Sequence, residues 1–250
     1  MMIRDIEVRS RARRLGVDVG LIRKDHVLNH VLAGIAADRG DLVFRGGTAL
    51  CRVYWPDFRI SEDLDFITEG KLTRGSEVVT RAVGEAAQRT GLDLRVELGT
   101  PDSSWMRTVI RWDEAQVSVD LNRAERPRLP IDRRDLDLPY SDLSDEPRQI
   151  DVVALEEILA DKLYMLDDRE EPRDLFDLWY GTCVKDVQLD VLAAVFKTKY
   201  GGTPSPWRVD RALNAERAWG ERLAHQIRNL PPFMEVLKEL RTKVQEWEES

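Results

Sequence analysis

FRGGTALCRVYWPDFRISEDLDF, residues 44–66, sets two adjacent glycines behind a short apolar run and closes on two aspartates separated by one leucine. Asp41-Leu42-Val43-Phe44 reads as a short strand, and Thr48 to Tyr54 as a helix opened by Gly46-Gly47 and ended by Pro56. Asp63 to Thr68 reads as a second strand. Alternate side chains of a strand point the same way, so Asp63 and Asp65 project from one face about 6.6 Å apart, with Leu64 and Phe66 on the other. Two carboxylates that close repel each other unless a cation lies between them, and oxygen-only ligands suit Mg²⁺ better than zinc. A glycine pair at a strand-to-helix junction lets the backbone approach a phosphate, whose charge is attracted by the free N–H groups of the helix end.

A third carboxylate comes from Gln116 to Asn122, where Val117 and Val119 share one face and turn Asp120 to the opposite one. If that strand neighbours the Asp63 strand, three carboxylates converge. Such a trio holds two metal ions about 3.5–4 Å apart in in-line phosphoryl transfer, one activating a hydroxyl and one neutralising the leaving pyrophosphate. Further out, apolar spacing predicts helices over 15–38 and 77–90, and strands at Leu94–Leu98, Arg107–Trp112 and Gln116–Asn122, the last two as a hairpin around Asp113-Glu114. From Arg126 to Pro147 the chain fills with Pro, Asp and Arg and reads as a linker or irregular excursion. Beyond it every segment reads as helix.

The 250 residues are 42% hydrophobic, enough for one large domain or two small ones. No apolar run reaches the roughly 20 residues of a membrane helix, and Met1-Met2-Ile3-Arg4-Asp5 leads into charge, so the expectation is a cytoplasmic protein without a membrane partner. Cys51 and Cys183 form no disulfide framework and read as core residues. A net charge of -8 argues against a surface that grips nucleic acid all over, while leaving room for a local basic patch. Arg9, Arg11, Arg13 and Arg14 form the densest basic run and read either as a solvated helix face or, with Arg45 and Arg59, as contacts to an RNA backbone. His26 and His30 stand at i, i+4; with no third ligand nearby in sequence they read as structural.

The blocks Phe44-Arg45-Gly46-Gly47-Thr48-Ala49-Leu50, Arg59-Ile60-Ser61-Glu62-Asp63-Leu64-Asp65-Phe66, Leu155 to Leu163, and Arg173 to Leu178 together resemble the AbiEii/AbiGii nucleotidyltransferase-like toxins of type IV toxin–antitoxin systems, a group that includes the MenT toxins. The resemblance implies an α/β (α+β) fold, a DNA polymerase β-like core with a mixed sheet over residues 1–145, and a helical carboxy-terminal half, 146–250, that completes the cleft. It also implies metal-dependent transfer of a nucleoside monophosphate from an NTP to an RNA acceptor, the tRNA 3′ end for the MenT-like branch, blocking translation. Mg²⁺ or Mn²⁺ would be the cofactor and a cognate antitoxin the partner. Two other readings stay open, a catalytically silent module that binds antitoxin or nucleic acid, and NTP-dependent modification of a protein. Where the wider superfamily has Gly-Ser, this chain has Gly46-Gly47-Thr48, which leaves open whether the hydroxyl of Thr48 or of Ser61 meets the phosphates.

Asp63, Asp65 and Asp120 are thus the expected metal ligands, Asp120 serving either as third ligand or as base. Lys162 lies at the centre of a helical stripe formed by Ile158, Leu159, Leu163 and Leu166. Its stem either snorkels past those neighbours to a surface or carries its ammonium to the triphosphate. Pro172 marks a helix start, so Asp174 suits the helix dipole, whereas the resemblance makes Asp174 or Asp177 an active-site residue.

Overall fold

The computed structural model describes residues 5–38, 40–123, 126–146, 148–169, 171–202, 209 and 215–248. Met1 to Arg4 and Pro147 lie outside these, so the readings placed on them gain no structural account. The chain forms two compact units, Met1–Arg126 with Ile131–Val153, and Pro127–Pro130 with Ala154–Ser250.

The first unit contains helices α1 (Asp5–Leu15), α2 (Val19–Asp38), α3 (Gly46–Ala49) and α4 (Leu72–Thr90). Its strands are β1 (Leu42–Arg45), β2 (Asp63–Thr68), β3 (Arg95–Leu98), β4 (Trp105–Trp112), β5 (Ala115–Asn122), β6 (Asp132–Asp135) and β7 (Gln149–Val152). They make one mixed sheet in the order β3-β4-β5-β2-β1-β7-β6. β2 runs antiparallel to β1 and parallel to β5, so the two carboxylate-bearing strands are direct neighbours.

The alternation read in the sequence holds along β2: Leu64 and Phe66 are fully buried while Asp63 and Asp65 are partly accessible. Phe66 stacks on Phe44 of β1 at 5.2 Å between ring centroids, and Val117, Val119 and Leu121 of β5 join the same apolar layer. Against the sheet pack α2 and α4. These helices also meet each other so closely that a Cβ on Gly34 of α2 would stand 2.9 Å from the Cβ of Ala82 on α4, which only glycine permits. Removing Phe66 to alanine would cost roughly 3–5 kcal/mol of stability, the usual penalty for a buried aromatic.

Three expectations need correction. The helix predicted from residue 15 begins at Val19, and a separate α1 precedes it, concealed in the sequence because only Val8, Arg11 and Ala12 of its eleven residues are buried. The stretch from Arg126 to Pro147, read as a linker or an irregular excursion, is largely irregular among its described residues but is not a loose linker. It contains β6, and Leu136, Leu138 and Tyr140 are buried in alternation, with the Asp137 amide donating to the Arg52 carbonyl at 2.7 Å. The third correction is β7, a strand in the region read as wholly helical; its four residues bury Ile150 and Val152 between polar Gln149 and Asp151, too short an alternation to stand out.

In the second unit lie α5 (Leu155–Asp168), α6 (Pro172–Trp179), α7 (Leu189–Tyr200), α8 (Glu216–Leu223) and α9 (Phe233–Glu248). The buried carboxylate of Glu157 accepts from the backbone amides of Arg128 and Leu129 at 2.8 and 3.0 Å, fastening Pro127–Pro130 to α5. Both cysteines are free thiols; Cys51 is in the core, whereas Cys183 is half-buried rather than a core residue. Among the described residues no helix is long and apolar enough to cross a membrane.

Candidate active site

β2 and β5 carry the acidic residues on one face. In their parallel register Asp65 stands opposite Asp120 and Asp63 opposite Ser118. Neighbouring strands are about 4.8 Å apart, so the Asp65 and Asp120 backbones come closer than those of Asp63 and Asp65 along one strand. The Ser118 hydroxyl donates to Asp63 Oδ1 at 2.6 Å, fixing one carboxylate rotamer. Ser118 was not among the residues read from the sequence, although its place two residues before Asp120 puts it on the same face.

The glycine turn abuts these carboxylates. Gly46 has φ of 77°, and a Cβ there would stand 2.9 Å from Asp65 Cγ and closer still to Oδ2. Positive φ and the proximity of a carboxylate both exclude a larger residue. Gly47 is backed by the guanidinium of Arg59 and the hydroxyl of Ser61, the latter 3.3 Å from where a Cβ would be. Buried Thr48 donates its hydroxyl to the Asp63 carbonyl, tying the turn to β2. That bond engages the proton of the Thr48 hydroxyl; Ser61 is buried as well.

A residue missed in the sequence completes this face. Arg107 of β4, opposite Asp120 in the antiparallel hairpin, donates from Nε to Oδ1 at 2.8 Å and from its terminal nitrogen to Oδ2 at 2.7 Å. The bond to Asp120 raises the Arg107 pKa, with further contributions from the charges of Asp120, Asp63 and Asp65. One cation therefore already lies in the field of all three carboxylates. The hairpin closed around Asp113-Glu114 carried the signal, since counting outward from it sets residue 107 against residue 120.

The second unit holds the remaining candidates. Lys162 is buried on α5, and its Nζ donates to Asp174 Oδ1 at 2.7 Å and meets Asp177 Oδ2 at 3.0 Å. Both aspartates are fully buried, three residues apart on α6 and hence on one helical face. Arg169 adds a hydrogen bond to Asp174 Oδ2 at 2.8 Å. Burial alone would raise the Asp174 pKa, but the charge of Lys162 and the Arg169 bond outweigh it and hold the carboxyl below its ordinary value.

Two further readings change. Arg11, counted in the basic run, is buried and donates to Asp57 Oδ1 at 2.7 Å, so it is an internal ion pair and not part of a solvated or RNA-facing surface. Arg59 is also buried, beneath the glycine turn. His26 and His30 do have a third potential ligand: Asp142, more than a hundred residues later, comes to 2.9 and 3.2 Å from their Nε2 atoms.

The donor set fits a hard divalent cation: carboxylate oxygens from two adjacent strands, with a glycine turn close enough to exclude even a methyl group. Several solved structures share the fold. MenT4, a nucleotidyltransferase toxin from Mycobacterium tuberculosis H37Rv, is 19% identical with a TM-score of 0.72, over 97% of this chain and 88% of that one. JHP933 from Helicobacter pylori is 19% identical with a TM-score of 0.64, over 92% of each chain. No curated protein matches the sequence. The family model described as "Nucleotidyl transferase AbiEii toxin, Type IV TA system" matches residues 30–245. The chain belongs to the AbiEii family of nucleotidyl transferase toxins of type IV toxin–antitoxin systems.

Proposed function

We propose that this protein transfers a nucleoside monophosphate from an NTP to an RNA acceptor, the 3′ end of tRNA, and thereby blocks translation until a cognate antitoxin restrains it. The observation that carries the reading is the pairing of Asp65 with Asp120 beside the Gly46-Gly47 turn, with Asp63 on the same face. Asp63, Asp65 and Asp120 would hold Mg²⁺ or Mn²⁺. The cation, when bound, supplies charge neutralisation at the phosphates and favours the deprotonated acceptor hydroxyl.

The chain's own residues then have separate tasks. Ser118 and Thr48 fix the Asp63 side chain and backbone, so the ligand geometry exists before substrate arrives. Gly46, Gly47 and Thr48 offer backbone N–H groups to the phosphates, with Ser61 beneath them. Asp120 serves as third ligand or accepts the proton of the attacking hydroxyl. The new bond joins that oxygen to the α-phosphorus, and the α–β phosphoanhydride breaks to release pyrophosphate. Lys162 is assigned to the triphosphate, its ammonium oriented by Asp174 and Asp177.

One observation favours a second reading. Arg107 neutralises Asp120 through two hydrogen bonds, as it would in a silent scaffold with no metal to bind. Incubating the protein with each α-labelled NTP, Mg²⁺ and either total RNA, tRNA with an oxidised 3′ terminus, or cell protein separates the outcomes. Label on intact tRNA alone supports the proposal. Label on protein moves the acceptor to a different class, and no label on any polymer with all four NTPs favours the scaffold.

A further inference from the structure

We propose that His26, His30 and Asp142 form a second metal site, specific for one zinc-class divalent transition ion and separate from the oxygen-only carboxylates of β2 and β5. The two histidines stand one turn apart on α2, and Asp142 lies on a short helical turn, Ser141–Leu143, between β6 and β7. Their three ligand atoms form a near-equilateral triangle: His26 Nε2 to Asp142 Oδ2 2.9 Å, His30 Nε2 to Asp142 Oδ2 3.2 Å, and Nε2 to Nε2 3.0 Å. The side chains of all three are nearly closed to solvent, at 7, 1 and 2% exposure.

Protons alone satisfy this triangle poorly. With the carboxylate ionised, the two Nε2 atoms bring at most two hydrogens to three edges. If both are protonated, both hydrogens go to Oδ2 and the nitrogens face each other at 3.0 Å without a bond. If one is bare, its lone pair opposes the carboxylate oxygen. A cation at about 2.0–2.2 Å from each atom sets tetrahedral edges of roughly 3.3–3.6 Å, so the three ligand atoms would move apart by a few tenths of an ångström to hold it. Two imidazoles and one carboxylate suit zinc and its neighbours rather than Mg²⁺.

The segment that carries the third ligand is held by contacts of Tyr140 and Ser141 in addition to those of Asp142 itself. The Tyr140 hydroxyl donates to Asp25 Oδ2 at 2.5 Å, its ring packs edge-on to His26 at 4.8 Å, and the Ser141 amide donates to Glu7 at 2.9 Å. The ion would therefore staple the chain between β6 and β7 onto α2, an architectural role that requires nothing of the transfer reaction.

The test is metal uptake by the full chain, stripped with chelator and checked for fold by circular dichroism. Titrated with Co²⁺ alone, the wild type should take up one equivalent with the visible bands of a four-coordinate nitrogen–oxygen site, displaced by Zn²⁺. Zn²⁺ should raise the melting temperature in a concentration-dependent way. His30→Gln should lose the band and the thermal shift, while Asp63→Asn keeps both. Should His30→Gln fail to fold, the histidine ring resonances of the wild type decide, because Nε2 ligation by Zn²⁺ must shift two of them. A folded wild type that binds neither ion, or a cobalt band lost in Asp63→Asn and kept in His30→Gln, overturns the proposal.

Discussion

At Gly46 a backbone φ of 77° coincides with a carboxylate that fills the space where a side chain would begin. Gly46→Ala should cost about 1–2 kcal/mol in the left-handed conformation alone, and should also displace Asp65. Urea unfolding measures the first effect and Mn²⁺ titration the second; a stable variant with unchanged Mn²⁺ affinity would remove Asp65 from the proposed ligand set. Arg107 is the other decisive residue. Its guanidinium supplies positive charge where a metal ion would, so Arg107→Met should tighten Mn²⁺ binding and lower the concentration needed for half-maximal transfer. Weaker binding would mean that Arg107 orients Asp120 for the metal and does not compete with it. The paired aspartates of β2 were legible because strand periodicity fixes their face. Arg107 was legible only through the register of the hairpin, which sets it opposite Asp120; nothing in its own local pattern marks the pair.

Among the elements, α5 and α6 are joined by a buried charge cluster, and its arithmetic governs what substitution does. Lys162→Met keeps the apolar stem but leaves two fully buried carboxylates with less compensation, so a loss of about 3–5 kcal/mol is expected, the penalty for breaking a buried pair. A further Asp177→Asn change should restore part of it. A loss below about 1 kcal/mol would show a lysine that merely snorkels. The cluster also has a pH signature. The folded-state pKa of Asp174 lies below the unfolded value of about 3.9, so its stabilisation is full above that value and disappears as pH falls toward the folded one. Asp174→Asn should flatten the acid limb of the stability curve; an unchanged limb would contradict the ion pairing. Helical spacing in the sequence put Lys162 on the apolar face of α5. It could not choose between Asp174 and Asp177 because, three residues apart, both reach the ammonium.

For the whole molecule, the sheet's central strands and the helices around them were legible from periodicity, whereas its β7-β6 edge was not. That edge is built from two four-residue strands, and the apolar alternation of Leu136, Leu138 and Tyr140 is diluted by proline and charge. For the proposed RNA acceptor, the acidic balance, -8 over 250 residues, favours a few local phosphate contacts over a surface that is basic all round. With Arg11 buried, the accessible part of the basic run is Arg9, Arg13 and Arg14. Replacing these three by Ser should weaken RNA binding and flatten its log–log salt dependence by roughly 0.7 for each single-strand phosphate no longer neutralised. An unaltered slope would make the run a solvated helix face.

The measurement closest to the central claim compares wild type with Asp63→Asn for Mg²⁺-dependent appearance of α-label in RNA, both proteins first shown to be folded by their melting transitions. The wild type should label RNA, release one pyrophosphate per nucleotide transferred and stop when the cation is chelated. Asp63→Asn should keep its fold, with stability unchanged or increased in metal-free buffer because a like-charge repulsion is gone, and transfer nothing. Undiminished transfer by folded Asp63→Asn would contradict the account.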